Sequence, residues 1–386
     1  MAFLLNSHNV FHYLIEQGLC NQSDQPPIKI EPVTAKNFNL LLSWSGDRKL
    51  LVKQERHNQE GKAAGEFLSE WRIQEFLQRF PNLDNYRSFL PEVLHFDADN
   101  SIIVFRYLDD YRDLIDFYTK ENSFPTEIAT TIGNTLGTIH RDTFNRQEYQ
   151  KFFSKSPDNL MADQVLHLVQ RLERIEPEIF GLVPGDGLKF FALYQRYDSL
   201  GQAIAKLGNA ITPSCLTHND LKLNNILLQK DWQDSSNNIV RLIDWERSAW
   251  GDPAFDLGTL LGSYIQIWLA NLVISNSLSI EESLRLAITP LELLQPSIGT
   301  LTIAYLNTFP EILEKRPDFL HRVVQFIGFA LIQQIQGMIQ YQKSFGNTGI
   351  AILQVAKTLL SRPVQSMPTI FGTAAVELTH MRSSVV

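Results

Sequence analysis

The sequence has few cysteines and no concentrated basic segment. Only Cys20 and Cys215 occur in 386 residues, so we expect two reduced, buried thiols and neither a disulfide framework nor a cysteine-based metal site. The 34 Lys and Arg residues are outnumbered by 42 Asp and Glu residues, which gives a net charge of −8. Nucleic acid is therefore not an expected partner, because phosphate contacts need a concentrated basic face.

The sequence also lacks the signs of a secreted or membrane-spanning protein. The first residues have neither a basic segment nor a sustained apolar core, so no secretory signal is expected. The most apolar stretch, residues 257–274, contains Ser263, Gln266 and Asn271. Polar residues at this frequency indicate a buried helix rather than a membrane span. We therefore expect a cytoplasmic protein without a membrane partner.

The residues that are present predict an α+β protein with two lobes. Hydrophobic residues make up 44% and charged residues 20% of the chain, which is typical of soluble globular proteins. The length exceeds that of one compact core. Residues 1–107 predict a small sheet-rich lobe, with strands at 28–33, 39–44, 49–54, 92–96 and 102–107 and a helix at 65–80.

Residues 108–386 predict a large, mainly helical lobe. Apolar residues at three- and four-residue spacings predict helices at 125–140, 162–172, 193–208, 279–286, 298–306, 317–341 and 350–360, and one from about Phe255. Residues 362–386 are only weakly patterned and predict a frayed tail. An acceptor pocket is expected among residues 145–210 and the helices after Phe255, where Tyr194, Tyr197, Tyr264 and Trp268 are candidate lining residues.

A predicted hairpin has polar residues at its ends that are candidates for a binding and catalytic site. Residues 225–228 and 239–243 are two apolar runs joined by a polar loop, which predicts two short paired strands. Asp220 precedes the first strand, Asn225 begins it, and Asp244 closes the second. We expect the hairpin to bring these side chains together. Two carboxylates and an amide at a sheet edge suit a magnesium–nucleotide site and one catalytic base.

The spacing of these residues resembles that of the kinase superfamily. The motif HNDLKLNN at 218–225 precedes IDWE at 243–246, and both follow a strand lysine and a helical glutamate. The closing segment GDPAFDLG at 251–258 resembles the aminoglycoside phosphotransferase and choline kinase-like branch, whose catalytic segment ends in GDPxxDL. The resemblance implies a bilobal protein-kinase-like fold and transfer of the γ-phosphate of ATP to a hydroxyl group of a small molecule.

The resemblance also implies roles for residues of the hairpin region. Asp220 is the expected catalytic base, and Lys222 is expected to neutralise charge on the transferring phosphoryl group. Mg²⁺ is expected on Asn225 and Asp244, and Glu246 is a further candidate ligand for the metal. His218 is expected to anchor the loop, and the carboxylates Asp252 and Asp256 to brace it.

A second set of implied roles concerns the nucleotide. Lys53 is the expected ligand of the α- and β-phosphates, with Glu70 as its positioning partner and Glu66 as the alternative. The backbone of the hinge between the lobes is expected to contact the edge of the adenine, and Ile243 is expected to pack against the base. The hinge residues are Phe105, Tyr107 and Leu108.

The sequence departs from protein kinases in three places. No GxGxxG precedes Lys53, and the corresponding stretch is residues 33–39. Backbone N–H groups, together with Asn37, are expected to cover the phosphates instead. Neither DFG nor APE is present, so the regulation typical of protein kinases is not expected.

The sequence leaves the phosphate acceptor open. An amino sugar, an amino alcohol, a sugar or a natural product fits the small-molecule branch. A kinase for a peptide or protein side chain is an alternative, and Lys222 points slightly towards it because it resembles the lysine of protein kinases. A nucleotide-binding pseudokinase scaffold is a third reading, although every catalytic position is filled. Neither the preference for ATP over GTP nor the oligomeric state follows from the sequence.

Overall fold

The chain forms two compact units. The computed structural model describes residues 3–46, 48–56, 63–154, 164–173, 185–235, 239–273 and 277–383. The first unit comprises Met1–Leu114 and Asn225–Ser248, and the second comprises Ile115–Asn224 and Ala249–Val386. The α+β class is confirmed, because the first unit is rich in strands and the second is mainly helical.

A five-stranded antiparallel sheet forms the centre of the first unit, as the sequence predicts. Its strands are β1 (Lys29–Val33), β2 (Phe38–Ser43), β3 (Lys49–Gln54), β4 (Val93–Asp97) and β5 (Ile102–Arg106). The spatial order is β1-β2-β3-β5-β4. Two helices accompany the sheet, namely α1 (Val10–Glu16) and α2 (Glu66–Arg79), and a 3₁₀ segment follows at Pro81–Phe89.

The two faces of this sheet have different neighbours because side chains alternate along each strand. Leu40, Leu42 and Val52 belong to the same buried cluster as Val10 and Leu14 of α1. The opposite face carries the alternate residues of β2 and β3. There, Phe67 of α2 packs with Ile103 and Phe105 of β5, and Leu51 joins this second cluster. Lys53, two residues from Leu51 on β3, lies on this second face.

A three-stranded sheet completes the first unit. It consists of β6 (Tyr111–Asp113), β8 (Ile226–Gln229) and β9 (Val240–Leu242) in the order β6-β8-β9. The predicted hairpin is therefore confirmed, although residues 236–238 of its loop lie outside the described residues. The division of the chain differs from the predicted boundary after residue 107, because β6 pairs with β8 and the hairpin joins the N-terminal unit.

Helices build the second unit. They are α3 (Leu114–Glu121), α4 (Thr126–Thr143), α5 (Gln147–Ser154), α6 (Gln164–Glu173), α7 (Gly185–Gln195), α8 (Asp198–Asn209), α9 (Pro253–Ala270), α10 (Ile280–Arg285), α11 (Leu291–Thr308), α12 (Glu311–Lys315), α13 (Phe319–Gly337), α14 (Asn347–Ser361), α15 (Pro363–Phe371) and α16 (Ala374–Ser383). Two strands, β7 (Cys215–Thr217) and β10 (Ala249–Gly251), pair with each other. The start of the predicted helix at 162–172 lies outside the described residues.

Two segments of the second unit can be compared with the sequence predictions, namely the most apolar stretch and the C-terminal tail. The most apolar stretch forms α9, which is buried along most of its length, as predicted. The expectation of a frayed tail is wrong, because α15 and α16 bury Met367, Ile370, Phe371 and Leu378. Within the described residues, no helix combines the length and apolarity needed to cross a membrane.

Candidate active site

A pocket of about 250 Å³ lies in the first unit. It brings together most of the residues predicted to bind nucleotide, namely Lys53, Glu70, Phe105, Tyr107, Leu108 and Ile243, with the predicted metal ligand Asp244. The remaining lining residues were not predicted: Leu51, Pro91, Arg106, Tyr111, Arg112, Asp113 and Leu227. Three of these belong to β6, a strand too short to give a periodic signal in the sequence.

The pocket combines apolar walls with charged groups. Leu51, Phe105, Leu227 and Ile243 supply the apolar surface, whereas the partly buried Lys53 supplies a positive charge. Binding sites for small molecules and cofactors commonly have this composition, with a few polar groups that fix the orientation of the ligand. The pocket therefore suits a molecule with a flat apolar part and an anionic part.

Lys53 makes its ion pair with Asp244. Its Nζ lies 2.7 Å from Asp244 Oδ1, and it also lies 5.0 Å from the centre of the Phe105 ring. Burial by itself lowers the pKa of the Lys53 ammonium, but Glu70, and then Asp244 and Glu246, outweigh burial and raise the pKa above its ordinary value. Lys53 is therefore a permanent positive charge in the pocket.

Glu70 acts on Lys53 through its charge rather than through a direct contact. The residue is 3% exposed, and neither carboxylate oxygen completes a hydrogen bond of normal geometry within the described residues. Burial raises the pKa of the Glu70 carboxyl to about 7, although Lys53 opposes this shift. Glu66, the alternative partner, pairs instead with Lys36. The partner of Lys53 in direct contact is thus neither glutamate.

The hairpin places the two predicted metal ligands side by side. The backbone carbonyl of Asn225 accepts a hydrogen bond from the N–H of Ile243 at 3.0 Å, which sets Asn225 beside the residue that precedes Asp244. Asp244 has a left-handed backbone with φ of +60° and begins the short 3₁₀ turn that contains Glu246. Burial, and then Glu66 and Asp244, raise the pKa of the Glu246 carboxyl to about 7.

These residues fit a hard divalent cation. In the described part of the chain, no group of three Asp, Glu, His or Cys side chains could hold a metal ion. Mg²⁺ needs fewer protein ligands, since water and substrate phosphates complete its octahedral shell. Burial is the largest cause of the raised carboxyl pKa values of Glu70 and Glu246, and the charge of Asp244 adds to it in both, so a divalent cation at Asp244 would oppose that added contribution. Asn225 and Asp244 supply the oxygen donors that Mg²⁺ prefers.

Asp220 and Lys222 lie in the second unit and pair with each other. Lys222 Nζ is 3.1 Å and 3.2 Å from the two carboxylate oxygens of Asp220. The N–H of Asp220 donates to Nδ1 of His218 at 3.3 Å, which supports the predicted role of His218 as an anchor of the loop. Asn219, between them, has a left-handed backbone with φ of +59°.

Asp256 braces the loop, as the sequence predicts. Its Oδ2 accepts from the N–H of His218 at 2.6 Å, and its Oδ1 accepts from the N–H of Asn219 at 2.8 Å. Asp252 has a different role. It accepts from the N–H of Ala254 at 2.9 Å and pairs with Arg316 at 2.5 Å. Asp252 therefore caps the N-terminus of α9 and does not brace the loop.

Two groups of predicted residues lie elsewhere. Asn37 is in the bend between β1 and β2 and does not line the pocket. The hydroxyl group of Tyr264 lies 3.0 Å from that of Tyr118, and Trp268 Nε1 donates to the carbonyl of Leu284 at 3.0 Å. Both aromatic residues are buried, so they pack the interior and are not evidence for an acceptor pocket.

Comparison with known proteins identifies relatives. The phosphotransferase enzyme family matches residues 34–275. The 4-hydroxytryptamine kinase of Psilocybe cyanescens is 25% identical over 186 residues, which cover 46% of the chain and 46% of that kinase. The 4-hydroxytryptamine kinase of Psilocybe cubensis is 24% identical over 184 residues, which cover 45% of the chain and 46% of that kinase. The chain thus spans less than half the length of these curated relatives.

Solved structures give weaker likenesses. A choline/ethanolamine kinase family protein from Mesorhizobium loti has a TM-score of 0.47 and 14% identity, with 98% of the chain and 99% of that protein covered. This score is too low to establish a shared fold or activity. The family match does not depend on it, because that match extends over more than half of the sequence and includes the pocket lysine, the loop aspartate and the hairpin. The chain belongs to the phosphotransferase enzyme family.

Proposed function

We propose that the protein transfers the γ-phosphate of ATP to a hydroxyl group of a small molecule. The observation that carries this proposal is the pocket of the first unit, in which the apolar residues Leu51, Phe105 and Ile243 accompany the Lys53–Asp244 ion pair. An adenine base fits the apolar walls, and the phosphates need a fixed positive charge such as Lys53.

The nucleotide contacts follow from the lining of the pocket. The N–H of Tyr107 donates to the carbonyl of Lys49 at 3.1 Å, so this N–H is already bound. We therefore assign the hinge contact with the base to the backbone of Leu108, which also lines the pocket. Lys53 binds the phosphates, and the charge of Glu70 helps to keep Lys53 protonated by raising its pKa.

Magnesium completes the nucleotide site in this proposal. Asn225 and Asp244 hold the ion, and Glu246 is an additional carboxylate near it. When bound, the ion neutralises charge that develops on the transferring phosphoryl group. Asp244 pairs with Lys53 in this structure. With the ion bound, its carboxylate would offset the positive charges of both Lys53 and Mg²⁺.

The loop aspartate supplies the base. Asp220 accepts the proton of the attacking hydroxyl group, or orients that group, as a carboxylate within hydrogen-bond reach can do. Lys222 lies within 3.2 Å of both oxygens of Asp220, where its charge holds the carboxylate in place and offsets charge on the phosphoryl group.

The names of the relatives suggest which class of acceptor to test first. Both curated relatives are 4-hydroxytryptamine kinases, and that name describes a compound with a hydroxyl group and an amine. A small amine that bears a hydroxyl group is therefore the first class to test, followed by amino alcohols and amino sugars. A cytoplasmic location would supply the ATP that this reaction consumes.

The test is an activity screen with Mg-ATP. ADP release and the mass of the phosphorylated product are measured for hydroxyl-bearing amines, amino sugars and a peptide library, with Asp220→Ala as the matched inactive variant. Phosphorylation of a small molecule that Asp220→Ala abolishes supports the proposal. Transfer only to peptides favours a protein kinase. Binding of Mg-ATP without transfer to any acceptor favours a pseudokinase scaffold.

A further inference from the structure

Asn39 is the direct cross-strand neighbour of Lys53. In the antiparallel pair of β2 and β3, Asn39 and Lys53 face each other in the register. Side chains of directly opposed residues lie on the same face of the sheet, with Cβ atoms about 5 Å apart. The side chain of Asn39 therefore lies on the face that carries the phosphate-binding lysine, away from the cluster around α1.

The Oδ1 atom of Asn39 is buried and has no hydrogen-bond partner within the described residues. The residue as a whole is 8% exposed. A buried polar group in this state destabilises the folded protein. The neighbouring residue on the same face of β2 is the apolar Leu41.

The adjoining turn does not supply a glycine-rich cover for phosphates. Residues 33–39 contain no glycine, and Asn37, the side chain that the sequence suggested for this task, lies in the bend and not on β2. Asn39 does not line the pocket that holds the base. Its place is beside Lys53, where phosphates rather than the base are bound in the proposed function.

We propose that Asn39 is a phosphate-binding residue of the nucleotide site, with its Nδ2 donating to a phosphate oxygen and its Oδ1 accepting from the ammonium group of Lys53. The inference rests on the proposed nucleotide binding. A carboxamide can make both bonds at once because it carries a donor and an acceptor. Lys53 has three N–H donors, one of which Asp244 accepts at 2.7 Å.

The experiment compares binding of Mg-ADP and of adenosine by calorimetry in Asn39→Leu and in the wild type. Loss of one hydrogen bond to a charged group weakens Mg-ADP binding by about 10- to 100-fold. Adenosine has no phosphate, so its Kd stays within about twofold of the wild-type value. The melting temperature without nucleotide stays the same or rises, because leucine removes the buried Oδ1, which has no partner within the described residues.

Three further variants sharpen the test. Asn39→Asp keeps the shape but adds a negative charge, so Mg-ADP binding falls more than in Asn39→Leu and adenosine binding does not. Ser43→Ala, at the other end of β2, leaves both affinities unchanged. Asn37→Leu tests the neighbouring asparagine, and the inference is wrong if that variant, and not Asn39→Leu, loses affinity for Mg-ADP.

The remaining outcomes separate this inference from the proposed function. Equal loss of adenosine and Mg-ADP affinity in Asn39→Leu, or a lower melting temperature without nucleotide, would show that Asn39 is structural and would overturn the inference alone. Absence of Mg-ADP and adenosine binding in the wild type would overturn the proposed function, and the inference with it.

Discussion

His140 Nε2 lies 3.3 Å from Asp256 Oδ2, and both side chains are completely buried. A carboxylate can only accept, so Nε2 of His140 carries the proton, and Nδ1 accepts from the hydroxyl group of Tyr305 at 2.9 Å. Burial raises the pKa of the Tyr305 hydroxyl well above its ordinary value, so the hydroxyl keeps the proton that it can donate. A directed chain of hydrogen bonds therefore ends at Asp256, the carboxylate that holds the loop before Asp220.

Replacing His140 by leucine is expected to misplace this loop. Asp256 and Tyr305 would each lose a buried partner, which costs about 1–3 kcal/mol of unfolding free energy, and kcat falls about tenfold or more because Asp220 is less well positioned. His140→Gln is the matched control, since its amide N–H can still donate to Asp256. Urea unfolding and steady-state kinetics check both. The same loss of kcat in the two variants would contradict a positioning role for this donor.

The pKa of Glu70 predicts that stability depends on pH. Burial raises the pKa of this carboxyl from 4.5 to about 7. Between these values the folded state holds a proton that the unfolded state has released, so the unfolding free energy falls as pH rises. The contribution of Glu70 is therefore fully present below about pH 4.5 and is lost as pH rises through about 7.

Urea unfolding at intervals between pH 5 and pH 8 measures this effect. We expect a decrease on the order of 1–3 kcal/mol over this range in the protein without nucleotide. Glu70→Gln, which cannot titrate, should have a smaller slope, with the remainder from Glu246, whose carboxyl pKa is also raised to about 7. A slope that Glu70→Gln leaves unchanged would show that Glu70 does not titrate in this range.

Local patterns account for the parts of the fold that the sequence predicts. The alternation of apolar residues along β2 and β3, and the two apolar runs of the hairpin, identify strands because the period of the side chains is a local property. Motif spacing identifies Lys53, Asp220 and Asp244 in the same way. The prediction of a frayed tail is wrong because it rested on a weak local pattern, whereas α15 is buried through packing on the distant helices α11 and α13.

Contacts between distant residues account for the parts that the sequence does not predict. Lys53 pairs with Asp244, 191 positions away, and no local pattern indicates that this contact replaces the one expected with Glu70. Asn37, which the sequence suggested, lies in the bend before β2, whereas Asn39 lies on the strand and pairs with Lys53. This pairing between two strands is not indicated by the local pattern of residues 33–39.

Gly258 closes the segment GDPAFDLG at a point where two helices are in close contact. A Cβ atom on Gly258 would lie 2.4 Å from Cβ of Phe326 and 2.8 Å from the carbonyl oxygen of Val323, both in α13. Helices α9 and α13 therefore pack too closely here for any larger residue. Gly258→Ala forces the two helices apart and should lower the unfolding free energy by about 1–3 kcal/mol.

Gly201 is the matched control for this substitution. It lies inside α8, and a Cβ atom there would meet nothing within 4 Å. Gly201→Ala should raise the unfolding free energy by about 0.4–1 kcal/mol, because alanine has fewer unfolded conformations and a higher helix propensity. Thermal unfolding of both variants provides the measurement. Destabilisation by Gly201→Ala, or none by Gly258→Ala, would contradict this packing.

Asp220→Asn separates catalysis from nucleotide binding. Asparagine preserves the shape of the side chain but is a poor proton acceptor, so kcat should fall by about two to four orders of magnitude, the range expected of a general base. The Kd for Mg-ATP should stay close to the wild-type value, because the pocket that we assign to the nucleotide is lined only by residues of the first unit. Asp231→Asn, an exposed aspartate of the hairpin loop, is the surface control and should leave both values unchanged. Full activity in Asp220→Asn would rule out this residue as the base.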